Sequence, residues 1–226
     1  MPRSKLLATA RIPDTETELK LHEHRDRFAI SIPGRGELMN TRVYGSEIVL
    51  AEQALQRAPE RKDQRVLIGG LGMGFTLAAA LSKAGHDAEF VVAELVPEVV
   101  DWNRDLVGEP SGHPMRDRRV RVHVGDVAEV LHAPGPGFDA ILMDVDNGPE
   151  GLIRAKNDWL YGHAGLEIAR AALRPGGVLA VWSATPDHGF TKRLEASGFQ
   201  VETQTVRPHR AGRGARHHLW FAKTTL

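Results

Sequence analysis

A glycine-rich turn between an apolar run and a helix-forming stretch is the most constraining feature of this sequence. Residues 65–76 read RVLIGGLGMGFT, and the apolar residues 66–68 are typical of a buried strand. Gly70, Gly72 and Gly74 follow at alternate positions, and good helix formers come next. A strand, a glycine turn and a helix start bring the backbone close to a nucleotide-like ligand at the positive end of the helix.

An acidic residue at the end of the next strand completes such a site. In nucleotide-binding α/β folds this residue comes about 20 residues after the glycines and binds the ribose hydroxyls. The next strand-like segment reads EFVVAEL over residues 89–95, and Glu94 lies near its end. The two features together predict a nucleoside site between the glycine turn and Glu94.

The composition is that of an ordinary globular protein. The 226 residues suit one full-sized domain with a small appendage, and 42% are hydrophobic and 26% charged. The formal net charge is zero and no apolar stretch reaches about 18 residues, so we expect neither a nucleic-acid partner nor a membrane span. The chain has no cysteine, which excludes disulfides and thiolate chemistry and favours a cytoplasmic protein.

Strand-like and helix-like segments alternate from residue 45 onward, which predicts a parallel sheet covered by helices on both faces. The predicted strands are 65–70, 89–95, 120–124, 138–143 and 177–182. The predicted helices are 45–55, 74–84, 97–104, 163–173 and 187–197. Ser46 is the predicted N-cap of the first helix. Segments 199–206 and 215–222 are joined without a helix and should form an antiparallel hairpin. The prediction is therefore an α/β, Rossmann-like domain with a seven-stranded, mostly parallel sheet.

The segment before this domain alternates apolar and polar residues, as in half-buried strands. We expect two or three short strands there, which cannot bury much surface alone. Residues 1–44 are therefore predicted to form a small N-terminal β unit that packs on the main domain, residues 45–226, or on another subunit.

Four acidic residues follow predicted strands of the main sheet: Glu94, Asp126, Asp144 and Asp146. Ligands of parallel sheets bind at the carboxyl ends of the strands. One acid at such a place is often a plain turn residue, but four of them indicate a binding site.

The ordered motifs resemble the spermidine synthase family, within the class I S-adenosylmethionine (SAM) dependent transferases, from about residue 44 to the C-terminus. The resemblance rests on VLIGGLGMG (66–74), Glu94, RVRVHVGD (119–126), FDAILMD (138–144) and LRPGG (173–177). Most class I methyltransferases carry an acid two residues before the first loop glycine. This chain has Ile68 there, as spermidine synthases do.

The resemblance implies roles for matching positions. The donor, SAM or decarboxylated SAM, would be bound by Gly70, Gly72, Gly74, Glu94, Leu95, Asp126, Val127 and Asp144. Asp144 and Asp146 would be catalytic and would orient and deprotonate a small amine acceptor. Tyr44, Asn147, Trp159, Tyr161 and Trp182 would contact that substrate. The family also implies a homodimer and chemistry without a metal.

Two departures from the family pattern leave alternatives open. Met73 stands where spermidine synthases carry the aspartate that holds the aminopropyl amine, and Asn147 displaces or replaces the second acid of their catalytic segment. A methyltransferase acting on a small amine or a macromolecule is the main alternative, with Arg42 as a candidate partner for the SAM carboxylate. A nicotinamide-dependent dehydrogenase and a non-catalytic nucleoside-binding relative are the others.

Overall fold

The computed structural model describes residues 4–145, 159–207 and 216–225, and these form two β-sheets and a set of helices. The first sheet is antiparallel, with its strands side by side in chain order. Its strands are β1 (Lys5–Arg11), β2 (Glu18–His24), β3 (Arg27–Ile32) and β4 (Gly36–Asn40). The N-terminal β unit therefore has one strand more than the sequence predicted at most.

The second sheet has seven strands in the described part of the chain. They are β5 (Arg65–Gly69), β6 (Glu89–Glu94), β7 (Val120–Val124), β8 (Phe138–Met143), β9 (Leu173–Ser183), β10 (Gln200–Val206) and β11 (His217–Lys223). Their order is β10-β11-β9-β8-β5-β6-β7. The strands from β9 to β7 run parallel, whereas β11 pairs antiparallel with both β9 and β10. The predicted fold class, including the C-terminal antiparallel hairpin, is confirmed.

Six helices lie in the described part of the chain, and the middle four connect successive parallel strands. The six are α1 (Gly45–Arg57), α2 (Phe75–Lys83), α3 (Pro97–Arg104), α4 (Val127–His132), α5 (His163–Ala172) and α6 (His188–Ala196). The short helix α4 has no counterpart in the sequence prediction. Two 3₁₀ turns, Glu109–Ser111 and Pro114–Arg116, lie in the segment between α3 and β7.

Two local predictions were wrong. Ser46 is not the N-cap of α1, because the helix already begins at Gly45 and the hydroxyl of Ser46 instead contacts Glu47 and His217. Strand β9 does not start at residue 177. It begins at Leu173, directly after α5, with an irregular register against β8 at its start.

Both faces of the large sheet are buried. Adjacent residues of β5 point to opposite faces, and Leu67 and Ile68 are both fully buried. The Ile68 face packs against α1, α2 and the N-terminal sheet, whose Leu21 and Ile30 belong to the same apolar core. The small sheet is thus packed on the main sheet's own helices, while the division of the chain at residues 44 and 45 stays a prediction.

A buried carboxylate ties three strands together at the edge of the sheet where the parallel strands begin. Asp139 has no exposed surface, and its Oδ2 accepts the backbone N–H of Arg65 at 2.8 Å and Nη1 of Arg174 at 2.9 Å. Its Oδ1 pairs with Nε of Arg61 at 2.9 Å. These contacts join β8 to β5 and β9.

We expect the change Asp139→Ala to lower the free energy of unfolding by about 3–5 kcal/mol, because it leaves buried donors and cations without their partner. Urea denaturation followed by circular dichroism measures the change. Asp63→Ala is the matched control, since Asp63 also pairs with Arg174 but is 78% exposed, and it should cost less than about 1 kcal/mol. Equal losses in the two variants would contradict this role of Asp139.

Candidate functional site

A cleft of about 860 Å³, partly open to solvent, lies at the carboxyl ends of the parallel strands. The glycine turn after β5 forms its floor, together with the residues that end β6, β7 and β8. Among its lining residues are Gly70, Gly72, Glu94, Leu95, Asp126, Val127 and Asp144. The structure therefore brings together, in one cavity, most of the residues that the sequence assigned to donor binding.

The glycine turn uses backbone angles that other residues rarely adopt. The φ angles of Gly70, Gly72 and Gly74 are +86°, +53° and +80°. A side chain at Gly70 would overlap the backbone carbonyl oxygen of Asp144, and one at Gly72 would come within 3.2 Å of Sδ of Met39. The turn thus packs closely between the end of β8 and the N-terminal sheet. Because its glycines carry no side chains, its backbone faces the cleft directly.

Glu94 holds the turn in this position. Its Oε2 accepts the backbone N–H of Leu71 at 2.8 Å, and its Oε1 accepts that of Val96 at 2.9 Å. The side chain is buried, and this burial raises its pKa, while the backbone N–H groups act in the opposite direction. Glu94 also lines the cleft, and its contact with the ribose hydroxyls of a donor stays a prediction.

Asp126 and Val127 form the cleft wall at the end of β7. Oδ1 of Asp126 accepts the backbone N–H of Ala128 at 3.0 Å and thereby caps α4. Val127 is buried and packs beside Gly69, where an added Cβ would lie 3.2 Å from its Cγ2. This arrangement presents an acid next to an apolar surface, a combination that suits the amino group and the ring of a purine.

Gly74 and Leu95 take different places around the cleft. Leu95 lines it, as predicted for a donor contact. Gly74 is the N-cap of α2 and lies against Asn103 and Ser111, behind the part of the turn that faces the cleft. Asn103 supports the turn from this side by donating its Nδ2 to the carbonyl of Gly72 at 2.8 Å.

Asp144 lies where the cleft meets a second cavity of about 580 Å³ and lines both. Thr76 donates its hydroxyl to Oδ2 of Asp144 at 2.8 Å, and the backbone N–H of Asp144 bonds to Gly69. Burial raises the pKa of Asp144 to about 6, and the hydrogen bond from Thr76 opposes this rise. Asp144 is therefore well placed to exchange a proton near neutral pH.

A second carboxylate, Glu47 in the first turn of α1, faces the same second cavity. Burial raises its pKa to about 7, repulsion from Asp144 adds to the rise, and the hydrogen bond from Ser46 opposes it. The amide residue Asn40 and the apolar Met73 complete this side of the cavity. The pair of acids makes the second cavity a natural site for a cation.

The predicted substrate aromatics have different surroundings. Tyr44 stacks on Phe75, with ring centroids 3.8 Å apart, and Phe75 lines the second cavity. Trp159, Tyr161 and Trp182 are not among the described residues that line either cavity. Tyr161 and Trp182 are buried in the core, and Trp159 is half-buried. A substrate contact stays a prediction for all four aromatics.

The remaining predicted residues of the catalytic segment, Asp146 and Asn147, lie outside the described residues. Arg42, the candidate partner for a SAM carboxylate, does not line either cavity, and that role stays a prediction. Its guanidinium pairs with Asp26 at 2.6 Å on the surface, where the arginine side chain is 58% exposed. The described residues lining the two cavities include four acids and neither lysine nor arginine.

The sequence interpretation missed two groups of site residues. One is the apolar wall that the N-terminal sheet and the turn after β1 contribute, formed by Ile12, Leu19, Ile30, Leu38 and Met39. The other is the pair Glu47 and Thr76, which meet Asp144. Glu47 is an ordinary first-turn acid in sequence, and only the packing of α1 against the sheet shows that it faces a cavity.

In residues 4–145, 159–207 and 216–225, no group of three His, Asp or Glu side chains is arranged to hold a metal ion. The expectation of chemistry without a metal stays a prediction. None of the helices in the same ranges combines the length and apolarity needed to cross a bilayer.

We expect Glu94→Ala to weaken the binding of methylthioadenosine, an adenosine thioether, by about 1–3 kcal/mol, because ribose hydroxyls would lose a buried acceptor. Titration calorimetry measures the affinity, and thermal denaturation of the same variant shows whether the fold is retained. Glu89→Ala, at the opposite end of β6, is the control and should bind normally. Wild-type affinity in Glu94→Ala would remove this residue from the site.

Comparison with curated proteins gives relatives of one kind, although no family model matches the sequence. The chain is 30% identical over 148 residues to polyamine aminopropyltransferase 2 of Pseudomonas aeruginosa. It is 33% identical over 129 residues to a polyamine aminopropyltransferase of Corynebacterium efficiens. These matches cover 64% and 54% of this chain but 40% and 24% of the relatives, so the chain spans less than half the length of these relatives.

Solved structures agree on the fold. A spermidine synthase from Thermotoga maritima superposes with a TM-score of 0.74 at 17% identity, covering 96% of this chain and 72% of that one. A probable spermidine synthase from Corynebacterium glutamicum gives 0.66 at 18% identity, with coverages of 99% and 81%. The O-methyltransferase TomG from Streptomyces achromogenes, in complex with SAM, gives 0.57 at 18% identity, with 80% of each chain covered. The predicted resemblance is thus confirmed: the chain is similar in sequence to polyamine aminopropyltransferases and has the class I fold of spermidine synthases and SAM-dependent methyltransferases.

Proposed function

We propose that this protein transfers an aminopropyl group from decarboxylated SAM to a small amine. The observation that carries the proposal is the pair of carboxylates, Glu47 and Asp144, in a cavity that adjoins the nucleoside cleft. The curated relatives, which are named as polyamine aminopropyltransferases, support the same reaction class.

The cleft fits the nucleoside end of such a donor. Gly70 and Gly72 expose the backbone of the turn, and Glu94 offers acceptor positions near it. Asp126 lies at the other wall, at the start of α4.

The charge of the lining favours the decarboxylated donor over SAM itself. Both donors carry a sulfonium and an ammonium, but SAM also carries a carboxylate. A carboxylate placed beside Glu47 and Asp144 would be repelled and would need a cationic partner. The described lining contains no lysine or arginine, and Arg42 pairs with Asp26 on the surface. Met39 and Met73 instead offer flexible apolar walls to a three-carbon chain.

The two acids also match the proton chemistry of the reaction. The donor supplies a carbon already activated by the sulfonium, so the protein has mainly to position the amine in line with it. A lysine-like amine has a pKa of about 10.4 and arrives protonated. Asp144 and Glu47 can hold the ammonium and accept its proton, because their pKa values are raised to about 6 and about 7.

Methyl transfer from SAM is the second candidate. Met73 in place of the family aspartate favours it, and the fold is shared with an O-methyltransferase. The two reactions leave different products, since methyl transfer releases S-adenosylhomocysteine and aminopropyl transfer releases methylthioadenosine.

Two further expectations concern the oligomeric state of the protein and its location in the cell. We infer from the family resemblance that it acts as a homodimer, and from the absence of cysteine that it works in the cytoplasm. Light scattering in solution tests the first expectation, and localisation of a tagged chain tests the second.

Donor affinities discriminate between the two functions. We expect decarboxylated SAM to bind at least about 10-fold more tightly than SAM, a difference of about 1.4 kcal/mol, because only SAM brings a carboxylate to the acids. Met73→Asp should widen this preference, and Met73→Leu, which conserves volume without charge, should not. Calorimetry with both donors and both products gives the values. Tighter binding of SAM, together with release of S-adenosylhomocysteine, would replace the proposal by methyl transfer.

The activity should depend on pH through the paired acids. Both are protonated well below pH 6, and the carboxylate form is the base, so kcat/KM should rise between pH 5.5 and 7.5 as the groups with pKa values of about 6 and about 7 lose their protons. Glu47→Gln leaves only Asp144, with its pKa of about 6, so the part of the rise near pH 7 should be lost. Glu52→Gln is the control, because Glu52 lies on the same helix as Glu47 but pairs with Lys83 of α2, away from the cavity. A profile already flat at pH 5 would show that neither acid serves as the base.

A further inference from the structure

We propose that Ser46 and His217 form a path along which the proton taken from the acceptor amine travels from Glu47 to solvent. The inference rests on the proposed function and adds two positioning residues that act through Glu47. It concerns the junction between α1 and β11, which lies beside the second cavity.

The reaction has to dispose of one proton in each turnover. An acceptor ammonium and a donor sulfonium enter, each with one positive charge on the reacting atom. A carbon–sulfur bond breaks and a carbon–nitrogen bond forms, giving a neutral thioether and a substituted ammonium. One proton is left over, and it starts on the carboxylate that served as the base. Without an exit, the base stays protonated and the next acceptor cannot be deprotonated.

The geometry offers a continuous exit. Oγ of Ser46 lies 2.6 Å from Oε2 of Glu47 and 2.8 Å from Nδ1 of His217. Ser46 is fully buried, whereas the ring of His217 is only half-buried. The three side chains therefore lead from the cavity to a group that solvent can reach.

We call Glu47, Ser46 and His217 the row. The serine hydroxyl in its middle can pass a proton along it because a hydroxyl donates one hydrogen bond and accepts another at the same time. When Glu47 is protonated, its proton moves to Oγ of Ser46 while the hydroxyl proton of Ser46 moves to Nδ1 of His217. Glu47 is then a carboxylate again and His217 an imidazolium. Loss of the Nε2 proton to water returns the ring to its neutral form, and tautomer exchange through solvent resets it.

The surroundings of His217 suit a transient proton carrier. Burial, followed by the charge of His218, lowers the pKa of His217, so its ring is neutral at pH 7 and able to accept. The groups that face it are Ser46 and Glu47 from α1, Trp182 from β9 with ring centroids 4.7 Å apart, and His218 on its own strand. The raised pKa of Glu47 and the lowered pKa of His217 both make the transfer uphill, so the imidazolium is short-lived and passes its proton on to water.

A purely structural role would use the same contacts to fasten α1 to β11. Chemical rescue separates the two roles, because added imidazole can replace a lost proton carrier but cannot restore a lost structural contact. The variants are His217→Ala and Ser46→Ala, with His218→Ala as the matched control. His218 is the next residue of the same strand, and its Nδ1 lies 3.3 Å from Oγ1 of Thr205, outside the row.

We expect His217→Ala to lower kcat at pH 7 by about 10-fold at unchanged donor KM, and millimolar imidazole to restore most of it. Ser46→Ala should lower kcat by as much, and imidazole should not restore it, because the link between Glu47 and the histidine is then missing. His218→Ala should keep the wild-type kcat. Unchanged kcat in His217→Ala, or a loss that imidazole leaves untouched, would overturn the proposal.

A titration of the free protein tests the row even where turnover is absent. Nuclear magnetic resonance follows the ring nitrogens of His217, and Glu47→Gln should lower the pKa of this ring by removing an anion at the other end of Ser46. A wild-type protein that shows this coupling but forms no methylthioadenosine would sink the proposed function and leave the row in place. Formation of methylthioadenosine with an uncoupled His217 would sink the row alone.

Discussion

The carboxylate of Glu94 is the group on which the site depends. It ends β6 at the carboxyl edge of the sheet and accepts the backbone N–H groups of Leu71 and Val96. A buried carboxylate is costly unless hydrogen bonds compensate it, and here the compensating donors belong to the turn that shapes the cleft. Folding of the turn therefore supplies the donors that let this buried carboxylate be tolerated inside the domain, and under the proposed function the same step prepares an acceptor for ribose.

The second determinant is the N-terminal sheet. Its four short strands bury their apolar face against α1, α2 and the mouth of the cleft. Met39 from this sheet approaches Gly72, so the N-terminal sheet and the glycine turn are in direct contact. The surface that stabilises the small sheet is thus also the apolar wall of the binding cavity, and a change there should affect stability and ligand affinity together.

The part of the site that could be predicted from the sequence is the set of acids at the carboxyl ends of the parallel strands. Glu94, Asp126 and Asp144 follow strands whose ends meet at one edge, so spacing alone placed them together. Glu47 and Arg42 show the limit of this reasoning. Both lie just before or within the first turn of α1, yet one faces a cavity and the other a surface partner, Asp26. That difference is set by how α1 docks on the sheet, and neither periodicity nor capping patterns carry this information.

The clustering of acids has an electrostatic consequence for the proposed reaction. Burial raises the pKa values of Glu47 and Asp144, and repulsion from Asp144 raises that of Glu47 further, so protons neutralise part of their charge. Cationic substrates would replace those protons as counter-charges, and the pKa of each acid would fall as they bind. The acids would then be most fully ionised when an ammonium is beside them, at the moment when a base is needed. In this way the cost of placing two carboxylates together is offset by the substrates themselves rather than by a lysine or arginine of the described lining.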